Sequence, residues 1–461
     1  MKRFIFVFLS LIIFLSFAGC GDGVKEEHDS ISYDICATLD SNTYTLTGEV
    51  SVDYTYVGES TLNSLIFALH PNRYQDGCMV IDGVFIDGKQ VGFSIEKEVY
   101  IEVVLPYEMF GGDSVNLVIN WRTTILENNA IYGKSDNEIR LSGWYPILSV
   151  RYSEWCMDES KYGDYLFSEC ADYTVRLTVD SDYIVASSGK RVSQTNSSYT
   201  TTYTYDGDNM RDFALALSKE YKVVSGVVGG TLVSSYAYTD ESAKNGLLYA
   251  QQSLSYYSER YGTYPYPTYS VCATKIDEGG MEFSGLTYIN CELIGIELEE
   301  VVAHETAHQW WYGLVGSNPT IYAWLDEGLT EYATLLYMEN YHKGEWRVDK
   351  ITKSHQAYST LMDVESRLND RVDIPMSQAN HLFRSNYEYA MVTYVKGMLF
   401  FENLDSITNG KLDGALREYA RSFTYKIATP EDLKRILESR ARLSLTSVFD
   451  SWENGKVVFC Y

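Results

Sequence analysis

Hydrophobic and polar residues alternate along most of the first half of the chain. The alternation is clearest over residues 46–56 and 115–121. Because successive side chains of a strand point to opposite faces of a sheet, this period of two predicts strands with one buried face. Asp87-Gly88, between two apolar runs, is typical of a hairpin turn. Residues 33–231 are therefore predicted to form a large antiparallel β domain, a sandwich or saddle.

The spacing of apolar residues changes near residue 232. Leu247, Leu254 and Tyr257 recur at helical spacing, and later segments repeat that pattern. Thr429 followed by Pro430 marks the start of another helix, with the threonine as N-cap and the proline in the first turn. Residues 232–461 are therefore predicted to form a second, mainly helical α+β domain, and the chain is a multidomain protein of the α and β class.

One predicted helix, over residues 301–311, carries a His-Glu-x-x-His pattern. His304 and His308 stand four positions apart, so they lie on one helix face and can present two imidazoles to one cation. Glu305 is rotated aside and can hold a metal-bound water as general base. The pattern predicts a zinc site. The alternative is two buried histidines that are satisfied by hydrogen bonds.

A zinc hydrolase of this kind needs a third protein ligand. Glycines and a proline end the first helix, and a second helical run that begins near residue 320 carries Glu327, 19 positions after His308. Two antiparallel helices would bring that carboxylate back to the imidazoles. Glu331, one turn further on, is placed to accept a hydrogen bond from a ligand's free ring N–H, although a solvated helix carboxylate explains it equally well.

The chain resembles the gluzincin metallopeptidases of the aminopeptidase N type. The resemblance rests on four motifs, the His-Glu-x-x-His pattern and three further segments, which follow one another in the family's order. That family has His-Glu-x-x-His, 18 intervening residues and then Glu. The resemblance covers roughly residues 33–461 and is most specific between 255 and 400. The segments that resemble the family's exopeptidase loop, third-ligand segment and tyrosine segment are Glu278-Gly279-Gly280-Met281-Glu282-Phe283, Trp324-Leu325-Asp326-Glu327-Gly328 and Tyr389-Ala390-Met391-Val392-Thr393-Tyr394-Val395-Lys396-Gly397.

The resemblance implies a thermolysin-like catalytic domain and a zinc-dependent aminopeptidase that acts on peptides with a free N-terminus. One zinc ion per chain would be held by the two histidines and Glu327. Glu282 would bind the α-amino group, the adjoining loop residues Gly279, Gly280 and Met281 would line the substrate, and Tyr394 would stabilise the oxyanion. Within the tyrosine segment, Tyr389 is a second candidate for that role, and Lys396 is predicted to be a structural or ion-pairing lysine rather than a catalyst.

Two residues depart from the family pattern. Phe283 and Asp326 stand where the family usually has Asn, and neither change removes a metal ligand. The long helical C-terminal domain of larger members is missing, so we expect the short form of the family. Two other function classes stay open: a zinc endopeptidase or a non-peptide hydrolase as in the leukotriene-hydrolase branch, and a surface binding protein that has lost catalysis.

The first 19 residues are typical of a signal peptide. A basic tip is followed by an apolar run over residues 4–17, and Ala18-Gly19-Cys20 resembles the site where bacterial lipoproteins are cut and acylated. We expect Cys20 to anchor the protein in the bacterial cell membrane, facing outside the cytoplasm, with residues 20–32 as a tether. A simple secretory signal that leaves Cys20 unmodified is the alternative.

The net charge of the chain bears on its binding partners. Removing residues 1–19 deletes two positive charges and no acid, so the formal charge changes from −26 to −28. Such an acidic chain disfavours nucleic acid as a partner.

The chain has eight cysteines, and without Cys20 an odd number is left, so they cannot all form disulfides with one another. Cys156 and Cys170 bracket a short loop and are the pair predicted to form a disulfide.

Overall fold

The computed structural model describes residues 29–157 and 160–457. The described strands and helices follow one another along the chain as β1 (Ser30–Asp40), β2 (Thr45–Thr55), β3 (Leu62–Ala68), β4 (Met79–Ile86), β5 (Lys89–Val91), β6 (Phe93–Glu96), β7 (Tyr100–Met109), β8 (Ser114–Thr124), β9 (Gly133–Ser135), β10 (Glu138–Leu141), β11 (Ile147–Leu148), β12 (Ala171–Asp180), β13 (Ile184–Ser187), β14 (Lys190–Asn196), β15 (Thr200–Met210), β16 (Leu215–Ser218), β17 (Lys222–Val228), β18 (Thr231–Ala237), α1 (Asp240–Tyr261), β19 (Thr268–Thr274), β20 (Gly280–Phe283), β21 (Leu286–Asn290), α2 (Gly295–His308), β22 (Val315–Gly316), α3 (Leu329–His342), α4 (Trp346–Asn369), α5 (Asn386–Ala390), α6 (Gly397–Ile407), α7 (Leu412–Phe423), β23 (Lys426–Ile427), α8 (Pro430–Ala441) and α9 (Thr446–Glu453).

The first part of the chain is built from sheets. An eight-stranded sheet has the order β14-β15-β12-β1-β2-β8-β4-β5, and two four-stranded sheets have the orders β13-β16-β10-β9 and β11-β3-β7-β6. Inward residues of β2 and β8 are buried at every second position, with Trp121 among them. The prediction of a β-rich N-terminal part is confirmed. Its sheets are antiparallel except where β1 runs parallel to β12.

The predicted hairpin turn is present. β4 and β5 pair in an antiparallel hairpin whose two central residues are Asp87 and Gly88. Both have positive φ, 50° and 71°, which is the backbone form that a two-residue hairpin turn requires.

The second part of the chain combines a five-stranded sheet with helices. The sheet order is β17-β18-β19-β21-β20, in which β18, β19 and β21 are parallel and β20 forms an antiparallel edge. The sheet already begins at Lys222, before the predicted boundary at residue 231. Thr429 caps α8 through a capping box with Asp432, as the sequence indicated. An N-terminal β-rich part is thus followed by a mainly helical part, and the predicted fold class is confirmed.

The predicted signal peptide, Cys20 and tether lie at the N-terminal end of the chain. The signal peptide and Cys20 lie outside the described residues. β1 begins at Ser30, so the last residues assigned to the tether belong to a strand.

The predicted disulfide between Cys156 and Cys170 is wrong. Both residues are free cysteines, and the Cys170 thiol donates a hydrogen bond to the Gly313 carbonyl.

Candidate active site

Helix α2 carries the two predicted histidine ligands. His304 and His308 lie one turn apart on the same face, and their ring centroids are 4.8 Å apart. The helix continues as a π-helical segment, Gln309–Leu314, which is bent at Trp311. There Trp310 donates its indole N–H to the carbonyl of Gly262, just past the end of α1. The end of the helix is therefore fixed against the core directly after the second histidine.

Glu327, the third predicted ligand, lies on the segment that follows the reversal of the chain after β22. After β22 the chain reverses and enters a second π-helical segment, Trp324–Gly328, which runs into α3. Trp324 is fully buried, and its ring centroid lies 5.2 Å from that of Phe400 on α6. This anchor holds Glu327 beside the two imidazoles, where the helical reversal predicted it.

The three ligand atoms form a nearly equilateral triangle. His304 Nε2 lies 3.1 Å from His308 Nε2, and Glu327 Oε2 lies 3.2 Å from each of them. Donors at about 2.0–2.1 Å from a tetrahedral zinc ion would stand about 3.3 Å apart. The donor set and its spacing therefore fit zinc, with the fourth coordination position left to water or substrate.

The orientation of His308 is set by its other ring nitrogen. Nδ1 lies 2.8 Å from Asp326 Oδ1 and 3.2 Å from Thr330 Oγ1. A carboxylate only accepts hydrogen bonds, so Nδ1 carries the proton and Nε2 presents its lone pair to the cation. The sequence marks Asp326 only as a departure from the family pattern, whereas in the structure this residue orients a ligand.

Glu331 does not make the hydrogen bond that the sequence predicted. Its Oε1 lies 3.9 Å from His304 Nδ1, which is beyond hydrogen-bond range, and its Oε2 lies 3.7 Å from Lys350 Nζ. Glu331 lies on the predicted face of α3, towards His304. Its carboxylate, however, forms an ion pair with Lys350 on α4.

Glu305 lies next to Gly280, the first residue of β20. The side chain is buried, and no described residue donates a hydrogen bond to its Oε2. Burial raises the pKa of Glu305 to about 7, against the opposing effect of the two histidines. A Cβ atom on Gly280 would lie 2.6 Å from Glu305 Cγ and Cδ, so the absence of a side chain at Gly280 leaves room for this carboxylate.

The predicted recognition residue Glu282 lies on the edge strand β20. Gln309, the residue after His308, ties this strand to the zinc helix: its Nε2 donates to the Phe283 carbonyl, and its Oε1 accepts from the Gly285 N–H. Phe283 is fully buried, and its ring packs on Tyr288. The departure at Phe283 therefore faces the core and does not line the cleft.

Tyr394 lies on the opposite wall, in a π-helical segment, Met391–Lys396, that leads into α6. Its hydroxyl donates to Glu327 Oε1 at 2.6 Å. Next to this contact, Gly328 and Gly397 pack backbone against backbone, with a Cβ on Gly397 only 2.8 Å from Gly328 Cα. Two glycines thus set the distance between the third ligand and the tyrosine.

Lys396 is structural, as the sequence indicated. The ammonium group is buried and donates to both carboxylate oxygens of Asp373 at 2.8 and 2.9 Å, and to the Ile374 carbonyl. Burial lowers the pKa of Lys396 to about 8. The ion pair anchors the segment that carries Tyr394.

Sequence reasoning missed Asp164. It comes from the segment before β12, which Asn380 clamps by accepting hydrogen bonds from the backbone N–H groups of Lys161 and Tyr162. One oxygen of Asp164 lies within 4.8 Å of an oxygen of Glu282 and of Glu327. Tyr389, the second tyrosine candidate, abuts the same segment at Gly163. No motif marks Asp164, because it is brought to the site by a long connection.

These side chains line one cavity of about 1200 Å³. Burial, and then neighbouring carboxylates, raise the pKa of Asp164 well above its usual value, and burial does the same for Glu282. Burial acts in the same direction on Glu327, but the two histidines outweigh it and hold its pKa low. The cavity is therefore strongly acidic at its catalytic end. Its catalytic wall is lined by Asp164, Gly279, Gly280, Met281, Glu282, His304, Glu305, His308, Glu327, Glu331, Tyr389 and Tyr394.

Comparisons with known proteins agree with this geometry. Residues 246–452 match the model of the Peptidase family M1 domain. Aminopeptidase M1-A from Oryza sativa subsp. japonica is 28% identical over 242 residues, which are 48% of this chain and 27% of that protein. Aminopeptidase Q from Acinonyx jubatus is 24% identical over 211 residues, 41% of this chain and 21% of that protein. The chain thus spans about a quarter of the length of these relatives.

Solved structures match over nearly the whole chain. An M1 zinc metallopeptidase from Deinococcus radiodurans superposes with a TM-score of 0.70 at 19% identity, covering 93% of this chain and 95% of that one. A second structure of that enzyme, bound to a Tyr-Ser-Ala substrate, gives a TM-score of 0.68 at 18% identity with the same coverage. The resemblance to gluzincin peptidases of the aminopeptidase N type is confirmed: residues 246–452 match the peptidase family M1 domain, and the chain has the fold of the M1 zinc metallopeptidases.

Proposed function

We propose that this protein is a zinc-dependent aminopeptidase that removes N-terminal residues from peptides. The observation that carries the proposal is the meeting of two groups in one cavity. The triangle of His304, His308 and Glu327 fits a catalytic zinc ion, and the carboxylate of Glu282 faces the same space from the edge strand. A carboxylate beside the reacting centre selects a primary ammonium group, because an internal peptide offers no such charge.

Each residue then has a definite task. When bound, the zinc ion supplies Lewis-acid chemistry and activates water at neutral pH. Glu305, with a buried carboxylate next to the ligands, takes a proton from the attacking water and returns it to the leaving amine. The Tyr394 hydroxyl donates a hydrogen bond to the substrate carbonyl oxygen as negative charge develops there. Glu282 and Asp164 accept hydrogen bonds from the α-ammonium group.

Hydrolysis of paired fluorogenic amides tests this function. The full chain is assayed on aminoacyl amides and on their N-acetylated counterparts, each with and without a zinc chelator. Chelator-sensitive cleavage of the unblocked amides alone is expected. Equal cleavage of the acetylated amides would contradict aminopeptidase action and favour an endopeptidase with the same zinc site, and no cleavage of either would favour a non-peptide hydrolase or a binding protein.

We further propose a stoichiometry of one zinc ion per chain. The support is that, of the groups of three possible metal ligands among the described residues, one contains two histidines, and Glu327 completes it. Metal analysis of the purified full chain checks this, with an expected molar ratio near one. A ratio near two after removal of loosely bound metal would contradict it.

We also propose that Cys20 is acylated and anchors the protein to the outer side of a bacterial cell membrane. The support is the Ala18-Gly19-Cys20 sequence after an apolar segment. Among the described residues, no helix has both the length and the apolarity that a membrane span needs. Labelling with a palmitate analogue in a bacterial host should mark the full chain and not Cys20→Ser. Equal labelling of both, or of neither, would contradict the anchor.

A further inference from the structure

A second cavity, of about 300 Å³, lies in the N-terminal β-rich part of the chain. We call it the β-domain cavity. Its walls come from the start of β1, the end of β2, the segment after β11 and the segment before β12. None of its lining residues also lines the catalytic cavity. Ligand pockets usually measure about 300–1000 Å³, so the β-domain cavity has room for a small molecule only.

Aromatic side chains form much of its wall. Tyr54 and Tyr56, at the end of β2, have ring centroids 6.5 Å apart, and Tyr152 and Trp155 line the cavity from the segment after β11. A Cβ atom on Gly58 would collide with the Tyr56 ring, so the glycine leaves room for that ring. Such a wall suits an apolar or aromatic part of a ligand.

The cavity also holds a cation that forms no ion pair. The Arg151 guanidinium donates to the Ser60 hydroxyl at 3.1 Å and to the Tyr56 hydroxyl at 3.3 Å, but no described carboxylate lies within ion-pair distance of it. Ser149 lines the same space and is only 6% exposed, and its hydroxyl has no hydrogen-bond partner among the described residues. A guanidinium and a hydroxyl in one cavity are suitable donors for a carboxylate.

Glu169 supplies the opposite charge. Its carboxylate is partly buried, and no described residue donates a hydrogen bond to it. Asp29, the other carboxylate of the cavity, accepts from the Val57 N–H at 2.8 Å and from the Tyr54 hydroxyl at 2.5 Å. Burial raises the pKa of Glu169 in spite of the Arg211 guanidinium nearby. An ammonium group of a bound molecule would supply the donors that Glu169 lacks.

We propose that the β-domain cavity binds a free α-amino acid with an apolar side chain. The α-ammonium group donates to Glu169, the α-carboxylate accepts from Arg151 and Ser149, and the side chain packs on the aromatic wall. A ligand with both charges satisfies both protein groups, whereas an amine or a carboxylate alone leaves one of them unpaired. Amino acids are the product of the proposed aminopeptidase reaction. That link rests on the proposed function; the binding itself does not.

Calorimetry on the zinc-loaded full chain measures this binding, with L-phenylalanine as the probe. A Kd of about 1 mM or tighter is expected for a ligand of this size. Glu169→Gln and Arg151→Gln should each weaken the binding at least about tenfold, because each removes a charged hydrogen-bond partner. Any binding of the amino acid at the zinc centre persists in both variants, so the difference from the unmodified chain reports on the β-domain cavity.

Two analogues test the need for both charges. Phenethylamine lacks the carboxylate and 3-phenylpropionate lacks the ammonium group, so each should bind to the β-domain cavity at least about tenfold more weakly than L-phenylalanine. If either analogue binds as tightly as the amino acid, and the same two substitutions remove that binding, the assignment to an amino acid is overturned.

Glu154→Gln is the matched control, because Glu154 is an exposed carboxylate on the segment of Arg151 that does not line the cavity. It should bind L-phenylalanine as the unmodified chain does. If Glu169→Gln and Arg151→Gln bind the amino acid as tightly as Glu154→Gln, or if no variant differs at concentrations up to about 10 mM, ten times the expected Kd, the site is refuted.

Glu169→Gln keeps the test decisive even if Arg151→Gln fails to fold, since it removes no hydrogen bond made by a described residue. Its zinc content, thermal unfolding and hydrolysis of an unblocked aminoacyl amide should match those of the unmodified chain. If the unmodified chain hydrolyses no amide, the aminopeptidase function fails, while the calorimetric comparison still decides the amino-acid site.

Discussion

Two neighbouring glycines at the start of β20, Gly279 and Gly280, should differ strongly in their response to the same substitution. Alanine at Gly280 places a Cβ atom 2.6 Å from Glu305 Cγ and Cδ. Alanine at Gly279 meets only Val301 Cγ2, at 3.7 Å, which is an ordinary van der Waals distance. Both glycines line the cavity, so the pair isolates the contact with the proposed general base.

The size of the effect follows from that contact. Carbon atoms need about 3.5 Å, so the Glu305 carboxylate must move by about 0.9 Å to admit the new methyl group. The movement costs little stability, since the colliding atoms are the end of a flexible side chain. Catalysis is more sensitive, because a 1 Å displacement of a reacting group costs on the order of 10²-fold in rate. Gly280→Ala should therefore lose about 10²-fold in kcat, and Gly279→Ala should lose little.

The assay is steady-state hydrolysis of an unblocked aminoacyl amide, with zinc content and thermal unfolding measured on the same samples. Zinc content and unfolding temperature should be similar for both variants. Equal kcat for Gly280→Ala and Gly279→Ala would refute the claim that the position of Glu305 controls turnover. A Gly280→Ala protein that has lost its zinc would show instead that the contact supports the metal site.

Three further substitutions probe the supports of the site. Gly397→Ala puts a methyl group 2.8 Å from the Cα of Gly328, so we expect a loss of about 1–3 kcal/mol in unfolding free energy together with reduced kcat; an unchanged melting temperature would contradict the tight contact. Gln309→Leu removes the hydrogen bonds between the zinc helix and the recognition strand, and it should raise KM for unblocked amides while zinc stays bound; a normal KM would contradict that role. Asp326→Ala leaves Nδ1 of His308 with Thr330 alone and should weaken zinc affinity about 10–100-fold in a chelator competition, whereas unchanged affinity would mean that Asp326 does not orient the ligand.

Local patterns predicted the parts of this protein that depend on local spacing. The period of two over residues 46–56 gave a strand with one buried face, because pleating alone decides which side chains point inward. The four-residue spacing of His304 and His308 put both rings on one helix face, because residues four apart lie about one helical turn apart. A short reversal then sufficed to bring Glu327 back, since antiparallel helices are close neighbours.

Contacts between distant segments were not predictable in this way. Asp164 lies 118 positions before Glu282, and only the course of the chain around the β domain brings the two together. Glu331 occupies the expected face of α3, but competition from Lys350 decides its contact. Spacing suggested a bond between Cys156 and Cys170, although disulfide formation depends on the direction of the Cβ–Sγ vectors, which a sequence does not show.

Zinc titration of the metal-free full chain, followed by hydrolysis of an unblocked aminoacyl amide, tests the central claim most directly. Activity should be absent without metal, rise in proportion to bound zinc and level off at one ion per chain. Glu305→Gln should bind the same amount of zinc and turn over at least about 10³-fold more slowly, because it cannot accept a proton. Hydrolysis by the metal-free chain, or full activity of Glu305→Gln, would contradict the account.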